Sequence, residues 1–460
     1  VFADLRSPLS SPGPALQSTI TVSAISALSR PSARPTVRVR RLGQNSRMAS
    51  TSGDWFCKLF GFHEGTYDEV QKQLRLHLGD PQKGKPSLLE SKANGKMYGV
   101  GSFGTPSLAE LRKQCEGIQL SGILTVTNEL GDVAVKHAMR ENRHATFQVA
   151  SQFNCLEFVG PSVSPEDGIT RYATDRTQGP ACSIACGPAT AFRNYFAQVP
   201  GSAQFGQRRD RQIDNLADVS RVLGNIPNGT LYEVKNGYTD SDSYRLRDLA
   251  DAIASLDRTG RLDEVRAALR IGLHDDVQVT STDWGRCLVD DPAQTVTQVF
   301  GSACSVAYSR GSAADWHGFA SLVLEASYEA TLCAALLNAD RHGGVDGSRR
   351  VFLTCLGGGV FGNSLSWIVA AMRRACARYE GFGLDIRVVT YAGAIDPLLL
   401  ALERDFEPGR RPKPAVVLPL PEVPARVEPV VAVPKVGAKR GPPSAAGSVR
   451  KRPAGAGGAT

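Results

Sequence analysis

Residues 351–363, VFLTCLGGGVFGN, restrict the fold of this chain more than any other segment. The first six are apolar and uncharged, as expected of a strand buried on both faces. Four glycines then fall within six residues, and a helical pattern follows from about 364 to 379. Strand, glycine loop and helix in that order predict a sheet covered by helices, with ligands outside the carboxyl ends of its strands. Gly357, Gly358, Gly359 and Gly362, with Val360 and Phe361 between them and Asn363 closing the loop, let backbone N–H groups approach an anion closely. The start of the following helix adds a favourable dipole. No Lys-Ser/Thr follows, so this is not a Walker A loop, and GxGxxG is not matched either. A tight strand-to-helix turn is the plainer alternative.

The rest of the chain extends the pattern. Helices are predicted at 67–78, from the capping box Ser107-Leu-Ala-Glu110, at 182–196 and at 315–338; short apolar strands fall at 122–127, 145–150, 295–300, 303–309 and 384–391. The stretch 208–276 is charged and mostly helical. This alternation predicts a three-layer α/β/α domain on a mixed, mostly parallel sheet over 122–407, with 208–276 as a helical insertion and 49–121 as an N-terminal extension packed on the core. On the long apolar helix, Glu325 and Glu329 at i, i+4 read as one solvated edge, with either facing a ligand as the alternative. Trp284 in Asp283-Trp284-Gly285 and Trp316 in Trp316-His317 read as core, with stacking on a base as the alternative.

Charge narrows the class of partner. The formal charge is +8, but residues 1–48 hold +6 and residues 408–460 hold +8, which leaves −6 for the middle. Duplex nucleic acid is therefore an unlikely partner of the core, because such binding rests on neutralising phosphates. Residues 1–48 have the composition of an organellar transit peptide, with Met48 as the competing start. The Pro/Ala-rich basic segment from 408 reads as disordered, and its clusters at 439–440 and 450–452 as either an import signal or a solvated tail. Localisation stays open between organelle, cytoplasm and nucleus. No run of about 18 apolar residues suggests a membrane span. The ten cysteines lack zinc-ligand spacing and read as small buried hydrophobes, so no metal and no cofactor is expected.

A second constellation occupies 149–180, VASQFNCLEFVGPSVSPEDGITRYATDRTQGP, beginning at a predicted strand end. Asn154 is suited to a sugar hydroxyl. Glu157, Glu166 and Asp167 are candidate catalytic groups, to orient or deprotonate water. Gly168 and Gly179 permit close backbone approach, Tyr172 offers a stacking face, and Gln178 is suited to a pyrophosphate or an amide. A long loop pinned by its own hydrogen bonds would also use these residues.

On these motifs the chain resembles the macrodomains and the related poly(ADP-ribose) glycohydrolases. The GGGVFGN loop is similar to the second macrodomain phosphate loop. The stretch from Ala150 looks like a divergent first loop, with Asn154 and Asp167-Gly168 in comparable places, and Gly131-Asp132-Val133 falls where macrodomains carry Gly-Asp-Ile. The resemblance covers roughly 122–180 and 295–392. It implies binding of ADP-ribose, with 357–363 on the diphosphate, Phe361 against the distal ribose, Asn154 on ribose hydroxyls and Asp132 accepting from the adenine amino group. It also implies ADP-ribosylated proteins as partners, should the chain hydrolyse their ADP-ribosyl linkages. The first loop has no GGG run and no Gln-Glu-Glu, so hydrolase, non-catalytic reader and interaction protein without a nucleotide ligand all stand.

Overall fold

The structure is a computed structural model and describes residues 54–79, 85–226, 229–345 and 347–409. The transit-peptide and import-signal readings fall outside these residues. Nine strands form the main sheet: β1 Leu74–His77, β2 Ser87–Ser91, β3 Met97–Gly104, β4 Thr125–Leu130, β5 Thr146–Ala150, β6 Gly272–Gln278, β7 Thr295–Gly301, β8 Arg350–Leu353 and β9 Asp385–Thr390. Their order is β1-β2-β3-β6-β7-β5-β8-β9-β4. The sheet is mixed in a simple way: β7, β5, β8, β9 and β4 run parallel to their neighbours, and the pairings from β7 through β6, β3 and β2 to β1 are antiparallel.

Alternating side chains on the parallel strands build the two interior layers, as the twofold strand period requires. Val351 and Leu353 of β8 join the cluster around the helix Ala313–Arg341, together with the helix Leu365–Arg378. Phe352 points to the other face and packs with Phe147, Val149 and Phe300 against Cys182, Cys186 and Ala189, from the helices Gln178–Ala185 and Gly187–Tyr195. The domain is thus an α/β fold with helices on both faces of a large mixed sheet. Residues 74–104 contribute three strands to that sheet, and β6 takes up the end of the 208–276 stretch, after the helices Ala217–Val222, Ser243–Arg258 and Leu262–Ala268.

Two predicted strands shift. The 122–127 strand lies at Thr125–Leu130, because Leu124 and Gly122 are taken up by bonds to Glu380 and Gly381 carbonyls. The 303–309 strand is instead a loop with a short 3-10 turn, Val306–Tyr308: Ser305 N–H donates to Thr239 Oγ1 at 2.8 Å, which draws the chain off the sheet edge.

The helix Ala313–Arg341 is long and apolar enough to cross a bilayer by length and composition. It is a core helix, with most of its apolar stretch buried within the protein. Glu329 corrects the expected solvated edge. It is 0% exposed and is held by Arg112 Nε at 2.6 Å, Arg374 Nη1 at 2.6 Å and Arg378 Nε at 2.9 Å. Glu325 pairs with Arg266 at 2.6 Å in the same network. Trp316 is core, as expected.

Candidate functional site

The five parallel strands end at one cleft of about 710 Å³. Gly131 and Asp132 follow β4, Ala150 to Gln152 end β5, Gly301 to Ala303 end β7, Thr354 to Gly357 follow β8, and Val389 and Tyr391 end β9. Parallel strands place all their carboxyl ends on one side, so the cleft's position follows from topology. Its size is that of a small-molecule site.

The glycine loop forms one wall. Gly357 and Gly362 adopt the left-handed conformation, with φ of 69° and 74°. At Gly357 a Cβ would stand 2.5 Å from both Ala303 Cβ and Asn363 Nδ2. Asn363 is buried and pins the loop: its N–H donates to Gly357 O at 2.9 Å and its Nδ2 to Cys304 O at 2.8 Å. Gly358 and Gly362 N–H groups are used inside the loop, by Cys355 O and Gly359 O. The N–H groups of Gly357, Gly359, Val360 and Phe361 meet no acceptor among the described residues, and all four residues line the cleft. Phe361 packs with Tyr238 at 5.3 Å and Tyr308 at 5.8 Å, giving this end an aromatic wall.

Opposite stands the 149–180 stretch, whose candidates the fold separates. Asn154 is buried behind the cleft, accepting Leu156 N–H at 3.1 Å and donating to Gln212 at 2.8 Å. Asp167 closes a capping box on Ser164. Glu166 accepts Arg209 N–H at 2.9 Å. Gly168, at φ 80°, covers the Glu64 carboxylate that accepts Ile169 and Thr170 N–H. None of these four residues lines the cleft. Tyr172 is buried, its hydroxyl accepting Glu157 N–H at 2.9 Å.

Glu157 does line the cleft, although it is only 3% exposed. Its Oε1 has no hydrogen-bond partner among the described residues. Burial pushes its carboxyl well above the usual carboxylate range; Arg193 opposes the rise and Asp175, also on the cleft, adds to it. Gly179 makes this placement sterically feasible: a Cβ there would lie 1.9 Å from Ala150 O and 2.3 Å from Glu157 Oε2. Gln178 clamps the end of β5, accepting Ala150 N–H at 2.9 Å and donating to Gln148 O at 2.8 Å, so the helix Gln178–Ala185 begins in the cleft. Asp132 lines the far end and caps the helix Val133–Ala138 through Ala134 N–H at 2.8 Å.

One group escaped sequence reasoning. Arg193 is fully buried; it donates to Cys155 O at 3.2 Å, in the turn that carries Glu157, and lies 3.8 Å over the Phe300 ring. It also donates to His274 Nδ1 at 3.2 Å. His274 Nε2 must carry the proton, since it faces Val100 O at 2.7 Å. Trp284, read as core or as a stacking face, is half-buried: it packs against the core and also lines the cleft, with the Arg176 guanidinium 4.5 Å above its ring. It sits in a left-handed run, φ 46° at Asp283, 58° at Trp284 and 77° at Gly285, costly for the two non-glycine residues. Only the Asp283-Trp284-Gly285 sequence itself hinted at this turn.

Fold and cleft together define an α/β protein with a small-molecule-sized cleft at the carboxyl ends of its parallel strands. No family model and no curated protein matches the chain. Among solved structures it is similar to the poly(ADP-ribose) glycohydrolase of Deinococcus radiodurans in complex with ADP-ribose, at 13% identity over 75% of this chain and 97% of that one, TM-score 0.36. The Thermomonospora curvata glycohydrolase bound to the inhibitor ADP-HPD is 14% identical over 68% of this chain and 91% of that one, TM-score 0.33.

Proposed function

We propose that the cleft binds a nucleoside diphosphate sugar, ADP-ribose in the first instance, and that Glu157 serves hydrolysis of its linkage to a protein. One observation carries this: four backbone N–H groups and the Oε1 of the buried Glu157 carboxyl, all without a partner among the described residues, line the same cleft. The N–H groups of Gly357 and Gly359–Phe361 hold the diphosphate, with the start of the helix Gln178–Ala185 adding positive dipole. Asp132 at the far end accepts from a base amino group.

Glu157 acts as a proton donor, because a carboxyl held neutral has a proton to give. It protonates the oxygen leaving the anomeric carbon, the C–O bond breaks, and water adds to the sugar carbon. The water's proton returns to Glu157. Arg193 moderates the charge that the carboxylate carries in between. Glu166 and Asp167, engaged elsewhere, have no part in this step.

Titration calorimetry with ADP-ribose tests the binding, and release of ADP-ribose from a modified protein tests the reaction. At a hundredfold excess over Kd, ADP-ribose should stabilise the fold by about 2.7 kcal/mol. Absence of heat and of thermal shift with ADP-ribose, AMP and ribose 5-phosphate would overturn the proposal. Binding without turnover would leave a reader. Gly357→Val should weaken ADP-ribose binding by at least about tenfold, or ~1.4 kcal/mol, because its side chain meets Ala303 and distorts the N–H cradle. Calorimetry on the variant, with circular dichroism to check folding, measures this.

A further inference from the structure

Away from the cleft, Cys57, His63 and Asp54 stand in the order of nucleophile, base and orienting carboxylate. Asp54 Oδ1 accepts Cys57 N–H at 2.9 Å and so caps the helix Trp55–Phe60, which fixes the carboxyl group. Its Oδ2 lies 2.7 Å from His63 Nδ1. That contact places the imidazole proton on Nδ1 and leaves Nε2 as an acceptor, directed at Cys57 Sγ at 3.9 Å. Gly61, left-handed at φ 78°, turns the chain back so that His63 can reach the residues that open the helix. The imidazole is 72% exposed and Asp54 24%, so a small molecule can reach the group.

We infer that Cys57 is a nucleophilic thiol served by His63 and positioned by Asp54, and that it takes soft electrophiles of the small-disulfide class. The Cys57 sulfur attacks one sulfur of RS–SR as its proton passes to His63 Nε2. The S–S bond breaks, the departing thiolate takes that proton, and the products are a mixed disulfide on Cys57 and RSH. Cys57 is oxidised and the departing sulfur is reduced, so no further reactant is needed.

The thiol is not ionised at rest: burial and the Asp54 charge both push its pKa up. Reactivity therefore depends on proton transfer to His63 Nε2. Lys58 on the helix, Glu64 beside His63, and Arg171, Asp283 and Arg286 on or next to the two turns packed against the helix are the nearby charged groups.

The test treats the folded protein with a limiting amount of a chromogenic aromatic disulfide and maps the first modified cysteine by mass spectrometry. Cys57 should react before Cys287, which is more exposed but has no such base. Its rate at neutral pH should exceed that of Cys287 by about tenfold or more. In H63A the rate at neutral pH should fall by about tenfold or more and climb with pH into the thiol range; C57A should remove the fast phase. Modification of Cys287 first, or the same pH profile in wild type and H63A, would overturn the assignment.

Discussion

Glu157→Gln is expected to reduce release of ADP-ribose by about 10²- to 10⁴-fold while changing ADP-ribose affinity by less than about threefold. The amide has the shape of the neutral acid but no proton to donate. The two carboxyl states also leave a mark on stability. Glu157 holds its proton in the folded protein to higher pH than in the unfolded chain, because burial raises its pKa. Its stabilising neutral form is fully present below the unfolded value of about 4.3 and is lost as pH climbs towards the folded one. Wild type should therefore lose stability relative to Glu157→Gln from about pH 4.5 upward, at up to ~1.4 kcal/mol per pH unit. Denaturant titrations at several pH values read this directly. A constant difference between the two proteins would mean that Glu157 is ionised at rest, and the proton-donor role would fall.

Glu329→Gln should cost about 3–5 kcal/mol of folding stability, with no direct effect on the cleft. The variant leaves Arg112, Arg374 and Arg378 around a neutral side chain in the interior. Here the sign is opposite. Burial alone would raise this carboxyl, but the arginines outweigh it and hold it below the usual range. Its contribution is present above the unfolded pKa and disappears as pH falls through the folded one. The gap between wild type and variant should be full at neutral pH and close only in acid. Chemical denaturation at pH 7 and pH 3 distinguishes this from a packing defect, which would persist at both.

The glycine loop was legible because its requirement is local. A chain that must present successive N–H groups, and turn at positive φ at Gly357 and Gly362, needs glycine there whatever surrounds it. The alternation of strands and helices was equally local, and it implied a covered sheet with its site at the strand ends. Errors arose where a side chain's partner lay far along the sequence. Glu329 looks like a surface residue until Arg112, 217 residues earlier, is placed beside it. Trp284 resembles core until the left-handed turn at 283–285 brings it beside Arg176.

The same distinction governs the three carboxylates of the 149–180 stretch. In sequence Glu157, Glu166 and Asp167 are equivalent acids in one loop. Tertiary structure gives Glu166 the backbone of Arg209, gives Asp167 its own cap at Ser164, and leaves Glu157 buried at the cleft under Gly179 with one oxygen unpartnered among the described residues. Backbone geometry, set by residue type over a few positions, determined the loop and the side of the sheet on which it would lie. Proton affinity depends on burial and on charges brought from distant segments, so only the folded chain decided which of the three carboxylates would line the cleft.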